Sequence, residues 1–360
     1  MAARRRRGAR HDSGSAGHVM QDRLVFLIGS PRSGSTMLSR MLGAHPAIVA
    51  PEEPHLITPI AHLGYFESVE RAPYDPVITR TAARALVAAL PGGEAAYLDA
   101  LRAYTDAIYA GLRRAAGGDD ASLLLDKTPA YALSLDFLAR LYPQARYVVL
   151  TRHPMAVWSS YVDSFFDGDD AVAHEHNPLL ERYVPAIARF LRTRPVPIHA
   201  IRYEALVREP ERHARELCAF LGIEESAGMV DYGEAPDARG ESTRGLGDPT
   251  NVSRETRPTT ASLSKWARAA TGRPERVALY RAILARLADE DLETWGFERA
   301  GIAAELDAID LGGRRAPRPP LTRYALERRL LVAVRRRIRP DNALGRLVRK
   351  LREVCDVLLR

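Results

Sequence analysis

Gly29 and Gly34 stand five residues apart, and around them the chain offers one cation, Arg32, and four hydroxyls, Ser30, Ser33, Ser35 and Thr36. A glycine-bracketed turn that opens a helix aims main-chain N–H groups at one centre. The helix dipole adds roughly half a positive charge there. That is the chemistry of a phosphate cradle. The spacing is that of the nucleotide phosphate loop G-x-x-x-x-G-K-[ST], with Ser35 where the lysine belongs. NTPases put that lysine on the β- and γ-phosphates. Without it the loop suits ATP hydrolysis poorly. It can still grip a terminal phosphate by its main chain, with Arg32 reaching toward whatever hangs from it. An ordinary Gly/Ser turn has the same composition, so the reading depends on what else the chain brings there.

Glu52 and Glu53 lie about twenty residues beyond the loop, held between Pro51 and Pro54. That interval suits one helix and a return to the same sheet edge, although a Glu-Glu pair also suits a charged surface turn. Asp126-Lys127-Thr128-Pro129 follows a short apolar run. Ligands of open parallel sheets bind at strand C-ends, where such a lysine reaches them; a solvated loop lysine is the plain alternative. Arg152 ends another apolar run, and Ser160 falls two turns into the helix after it. The two share a face toward a second phosphate, or Arg152 pairs with an acid such as Asp163. His153 reads as a local capping residue.

The elements that must position these groups are legible from their period. Residues 24–28 form an uninterrupted apolar run, and 122–125, 146–150 and 196–201 are short, mostly apolar stretches; all four are predicted as strands. Met37, Leu38, Met41 and Leu42 repeat at helical spacing after the loop. Further helices are predicted over 77–90, 94–116, 154–166, 210–221 and about 273–289, the first two as a cap over the site. Alternating strands and helices predict an α/β fold: a parallel sheet with a phosphate-loop-like turn, flanked by helices, with a helical cap and a C-terminal helical tail. The long Gly/Asp/Thr/Pro-rich stretch at 231–261 reads as a functional loop.

With 360 residues, 46% of them hydrophobic, the chain can bury one large core or two modest ones. Its +7 charge is uneven. Residues 1–23 carry six Arg against two Asp, and residues 314–360 fifteen Lys/Arg against four Asp/Glu, leaving the body at −8. An acidic body argues against general nucleic-acid binding. Residues 1–20 read as a disordered basic arm, 21–300 as the globular domain and 301–360 as a linker with two basic, apolar-interleaved helices. Those helices suit either a peripheral membrane contact or packing on the body. Two distant cysteines, Cys218 and Cys355, fit a reducing compartment. The basic start lacks the apolar run of a secretory signal, and no apolar run reaches 18 residues, so the expected location is cytoplasmic. No metal-ligand cluster is visible.

Four ordered motifs over about 24–300 resemble sulfotransferases that use 3′-phosphoadenosine 5′-phosphosulfate (PAPS), in particular their bacterial and tyrosylprotein branch. They are Pro31–Thr36, Glu52-Glu53 after Ala44-His45-Pro46, Asp126–Pro129, and Arg152 with Ser160. The resemblance implies that Arg32, Ser33, Gly34, Ser35 and Thr36 hold the 5′-phosphosulfate, and Arg152 and Ser160 the 3′-phosphate. It further implies Glu53 as catalytic base, Lys127 and Arg32 as transition-state cations, and Tyr203 and Lys265 as looser cofactor contacts. PAPS is then the cofactor, no metal is needed, and the partner is a hydroxyl on a sugar, phenol, lipid or peptide. The chain departs from the family in having Arg32 where lysine is frequent. It has no clear counterpart of the serine before Ser264-Lys265-Trp266, for which Ser253 is the candidate. It also lacks the cysteines bridged in secretory members. The rival readings are an ATP-dependent small-molecule kinase, which needs the lysine absent at Ser35, and a non-catalytic membrane or scaffold adaptor built on the basic tail.

Overall fold

A computed structural model describes residues 20–51, 53–61, 76–234 and 255–313, together with positions 330, 333, 347, 350 and 351. Five strands form one fully parallel sheet: β1 (Leu24–Gly29), β2 (Ile48–Val49), β3 (Leu123–Asp126), β4 (Arg146–Thr151) and β5 (Ile198–Arg202), in the order β2-β3-β1-β4-β5. β1, β3 and β4 are largely apolar at successive positions because both faces are covered. Leu24, Phe26 and Ile28 enter one core with Tyr147 and Val149, while Val25 and Leu27 enter the other with Val148 and Leu150. That alternation is the two-residue period of a strand. The sequence shows four of the five strands; β2, two residues long, has no readable period.

The helices are α1 (Ser35–Gly43), α2 (Ile57–Ala61), α3 (Pro76–Ala89), α4 (Gly93–Ala115), α5 (Leu135–Leu141), α6 (Pro154–Phe165), α7 (Asp170–His176), α8 (Leu179–Thr193), α9 (Tyr203–Arg208), α10 (Pro210–Leu221), α11 (Lys265–Ala270), α12 (Pro274–Arg286), α13 (Asp289–Trp295) and α14 (Arg299–Asp307). The single helix expected over 273–289 ends at Arg286, because Leu287 and Ala288 are extended and α13 starts anew. Gly296, at φ 97°, stops α13 but not the packed body. Ile302, Leu306 and Ile309 are buried in the first core, so the body runs past the boundary drawn at 300. At the other end Met20 is already buried in that core. The two tail helices and most of the 231–261 loop lie outside the described residues. The five isolated tail positions are helical and exposed.

Placement of the chemistry follows from this topology. Lys127, Arg152 and Tyr203 are each the first residue after a strand, and the glycine-flanked loop follows β1 at the centre of the sheet. The segment carrying Glu53 follows β2. These groups therefore sit at the carboxyl end of a parallel sheet, where such folds bind ligands.

Candidate functional site

Among the described residues, the loop leaves main-chain and side-chain polar groups without partners. No side chain caps α1, whose N-cap is Gly34 in the left-handed region at φ 98°. The N–H groups of its first turn therefore have no intrahelical or capping partner. A side chain at Gly34 would be strained by that φ and would meet the Tyr203 ring at 2.5 Å. Arg32 also takes a left-handed φ, 69°, which a non-glycine residue adopts only under constraint. The loop closes on itself through Ser33 N–H to the Ser30 carbonyl, 3.1 Å. The Ser33 hydroxyl is fully buried with no hydrogen-bond partner among the described residues, as is that of Ser30. Buried polar atoms rarely stay unsatisfied. Ser35 is buried in the first turn of α1, beside Thr36.

Three cations converge on the loop. Arg32 donates through Nε to the Ser160 hydroxyl at 3.0 Å, and its guanidinium lies 6.0 Å over the Phe165 ring. Arg152 donates to the Arg32 carbonyl at 3.1 Å and stacks 4.2 Å over the Tyr203 ring. Lys127, buried, reaches Thr36 Oγ1 at 3.5 Å and forms a close ion pair with Glu53. The other Glu53 carboxylate oxygen lies 3.2 Å from His55 Nε2. Asp163 accepts from the Arg276 guanidinium at 3.2 Å and from the Ser159 hydroxyl at 3.3 Å.

Arg152 is also held from behind, since Trp295 Nε1 donates to its carbonyl at 2.7 Å. His153 takes the N-cap position of α6, as expected, but its side chain makes no capping bond: the ring stacks on Trp266 at 4.6 Å, Nε2 lies 3.5 Å from Glu305 Oε2, and neither nitrogen makes a hydrogen bond. Burial, aided by the Arg152 charge, pushes its pKa down to about 3. Lys265 stands exposed at the start of α11, with no hydrogen bond or ion pair to a described residue. Glu52 and Ser253 lie outside the described residues.

Sequence reasoning missed what stands behind Lys127. Asp126, fully buried, accepts from the Tyr109 hydroxyl at 2.7 Å, the Tyr131 hydroxyl at 3.0 Å and Thr128 Oγ1 at 2.9 Å. Burial raises its pKa to about 6 against the opposing pull of these three donors. The tyrosines arrive from helical segments with no local signature, so nothing adjacent to Asp126 announces them. Among the described residues no group of three or more His, Cys, Asp or Glu could hold a metal ion.

With the site in view, the comparisons with known proteins fall in one direction. A family model described as "Sulfotransferase family" matches residues 25–227. Nodulation protein NoeE of Sinorhizobium fredii is 30% identical over 233 residues, which cover 58% of this chain and 52% of NoeE. Protein-tyrosine sulfotransferase 1 of Danio rerio is 26% identical over 267 residues, covering 68% of this chain and 65% of that protein. The chain thus spans between about half and two thirds of these relatives. A sulfotransferase domain from the Synechococcus PCC 7002 olefin synthase superposes with a TM-score of 0.43 and 28% identity, over 68% of this chain and 86% of that domain.

Proposed function

Because the chain belongs to the sulfotransferase family, we propose that it moves a sulfuryl group from PAPS to an acceptor hydroxyl, with Glu53 as the base. The observation that carries this reading is the meeting of Glu53, Lys127 and Thr36, three groups from different elements, on the phosphate-gripping loop. The unsatisfied Ser33 hydroxyl, the uncapped first turn of α1 and the flanking guanidinium groups fit a ligand bearing two phosphates.

When bound, PAPS supplies an activated sulfur: the acceptor oxygen bonds to it, the sulfur–oxygen bond to the 5′-phosphate breaks, and that electron pair stays on the phosphate. The N–H groups of α1 and the Ser33 hydroxyl hold the 5′ end. Arg152 and Ser160, linked through Arg32, hold the 3′-phosphate. An acceptor hydroxyl is a weak nucleophile at neutral pH, and Glu53 takes its proton as bonding begins. Lys127 and Arg32 offset the negative charge that builds on the leaving side. The acceptor is a hydroxyl of a sugar, phenol, lipid or peptide, and the reaction runs in the cytoplasm.

The test is transfer of labelled sulfate from PAPS to a panel of hydroxyl acceptors. Wild-type protein should transfer label, and Glu53→Gln should lose about 10²–10⁴-fold in kcat. Equal turnover by both proteins would remove Glu53 as base.

A further inference from the structure

We propose that Asp126 is a positioning residue, whose buried carboxylate sets two hydroxyls so that they clamp the main chain carrying Glu53. The proposal rests on Glu53 acting as the base. It starts from a deficiency in the fold. Among the described residues between β2, which ends at Val49, and α2, which begins at Ile57, none belongs to a helix or strand. Among the described residues, no loop or turn backbone–backbone hydrogen bond involves residues 50–56. Yet the segment includes His55 at φ 50°, a left-handed conformation that a non-glycine residue keeps only where its surroundings impose it.

Two side chains impose it. Thr128 Oγ1 accepts from the His55 N–H at 3.4 Å, and the Tyr131 hydroxyl oxygen accepts from the Ile57 N–H at 3.1 Å. Each of these hydroxyls gives its own proton to Asp126, one to each carboxylate oxygen. A hydroxyl has one proton, and its rotor is free. Once the proton is committed to a fixed carboxylate, the lone pairs are fixed too, and they face the two amides. Burial and the neighbouring carboxylate push the Tyr131 phenol far above its ordinary range, so it stays a donor. Asp126 precedes Lys127 in the chain and pairs in register with Phe26 of the central strand. The same residue therefore ties the Glu53 segment to the strand that carries its ion-pair partner.

Tyr109 provides an internal control. It gives Asp126 the third hydrogen bond, from α4, and makes no hydrogen bond to the 53–57 segment among the described residues. Hydrogen exchange on the unliganded full-length chain reads the clamp without any turnover. In Tyr131→Phe and Thr128→Val, exchange of a peptide covering 53–61 should quicken by at least about tenfold, while Tyr109→Phe should leave it within about twofold. In turnover from PAPS, the first two should lose about 10–10²-fold in kcat, with affinity for 3′-phosphoadenosine 5′-phosphate within about twofold of wild type. Placed on Glu53→Gln, Tyr131→Phe should add less than about twofold, since its effect runs through the missing base. Unchanged exchange in both clamp variants, or an equal kcat loss in Tyr109→Phe, overturns the proposal. Wild-type protein that transfers nothing from PAPS overturns the proposed function instead, and the exchange result still decides the clamp.

Discussion

Glu53 and Lys127 lie 74 positions apart in the chain and meet as a buried ion pair. At the residue scale the two charges neutralise each other, and in the proposed reaction one partner would remove a proton while the other would meet developing negative charge. Removing one partner leaves an uncompensated buried charge. Lys127→Ala should therefore lower kcat by about 10²–10³-fold, the usual cost of one such donor, measured as initial rates at saturating acceptor. His153 yields a different prediction. Its pKa is about 3 when folded and 6.5 when unfolded, so the unfolded chain takes up the proton first, and acid below about pH 6.5 favours unfolding. At about pH 5 the deficit is about 2 kcal/mol. His153→Phe keeps the stack on Trp266 and removes the proton site. Thermal melts at about pH 7.5 and 5 should show the wild type losing more stability on acidification than the variant; parallel losses would contradict the assignment.

At the scale of elements, the loop and its helix act as one unit. Gly34 allows the left-handed turn and admits Tyr203 against the loop, where the same ring supports Arg152. Gly34→Ala should destabilise the protein by about 1–3 kcal/mol in denaturant melts. It should also weaken 3′-phosphoadenosine 5′-phosphate binding, since it displaces the ring beneath Arg152. Much at this scale was legible beforehand. The apolar stretches of β1, β3 and β4 mark strands covered on both faces, and the glycines fix the loop, so Arg32, Lys127 and Arg152 fall at strand ends by counting alone. Other parts were not legible. α8 holds Pro185 in its interior, which ordinarily argues against a helix; tertiary packing of Leu179, Val184 and Ile187 overrides it. Gly296 reads as a stop, and it ends α13 without ending the body. The Asp126 cluster depends on side chains brought in from α4 and from residues 129–133, and no local pattern encodes such convergence.

At the scale of the whole molecule, charge and chemistry are separated. The body carries −8 overall, so the anion site depends on its own loop and cations rather than on a basic surface. The strongly basic stretch at 314–360 is a different device. Leu330, Leu347 and Leu351 within it are helical and exposed, a combination suited to an anionic lipid surface. Full-length protein should co-sediment with phosphatidylserine vesicles at low salt and be released as ionic strength rises; deletion of 314–360 that leaves sedimentation unchanged would end that reading. The acidic body and the neutral Ser35 together bear on which nucleotide the site accepts, and titration calorimetry on the intact chain measures this. The account predicts that 3′-phosphoadenosine 5′-phosphate binds with a Kd of about 1 μM or tighter with or without magnesium, and that ATP with magnesium binds at least about tenfold more weakly. Tight, magnesium-dependent ATP binding with no affinity for the bisphosphate would contradict it.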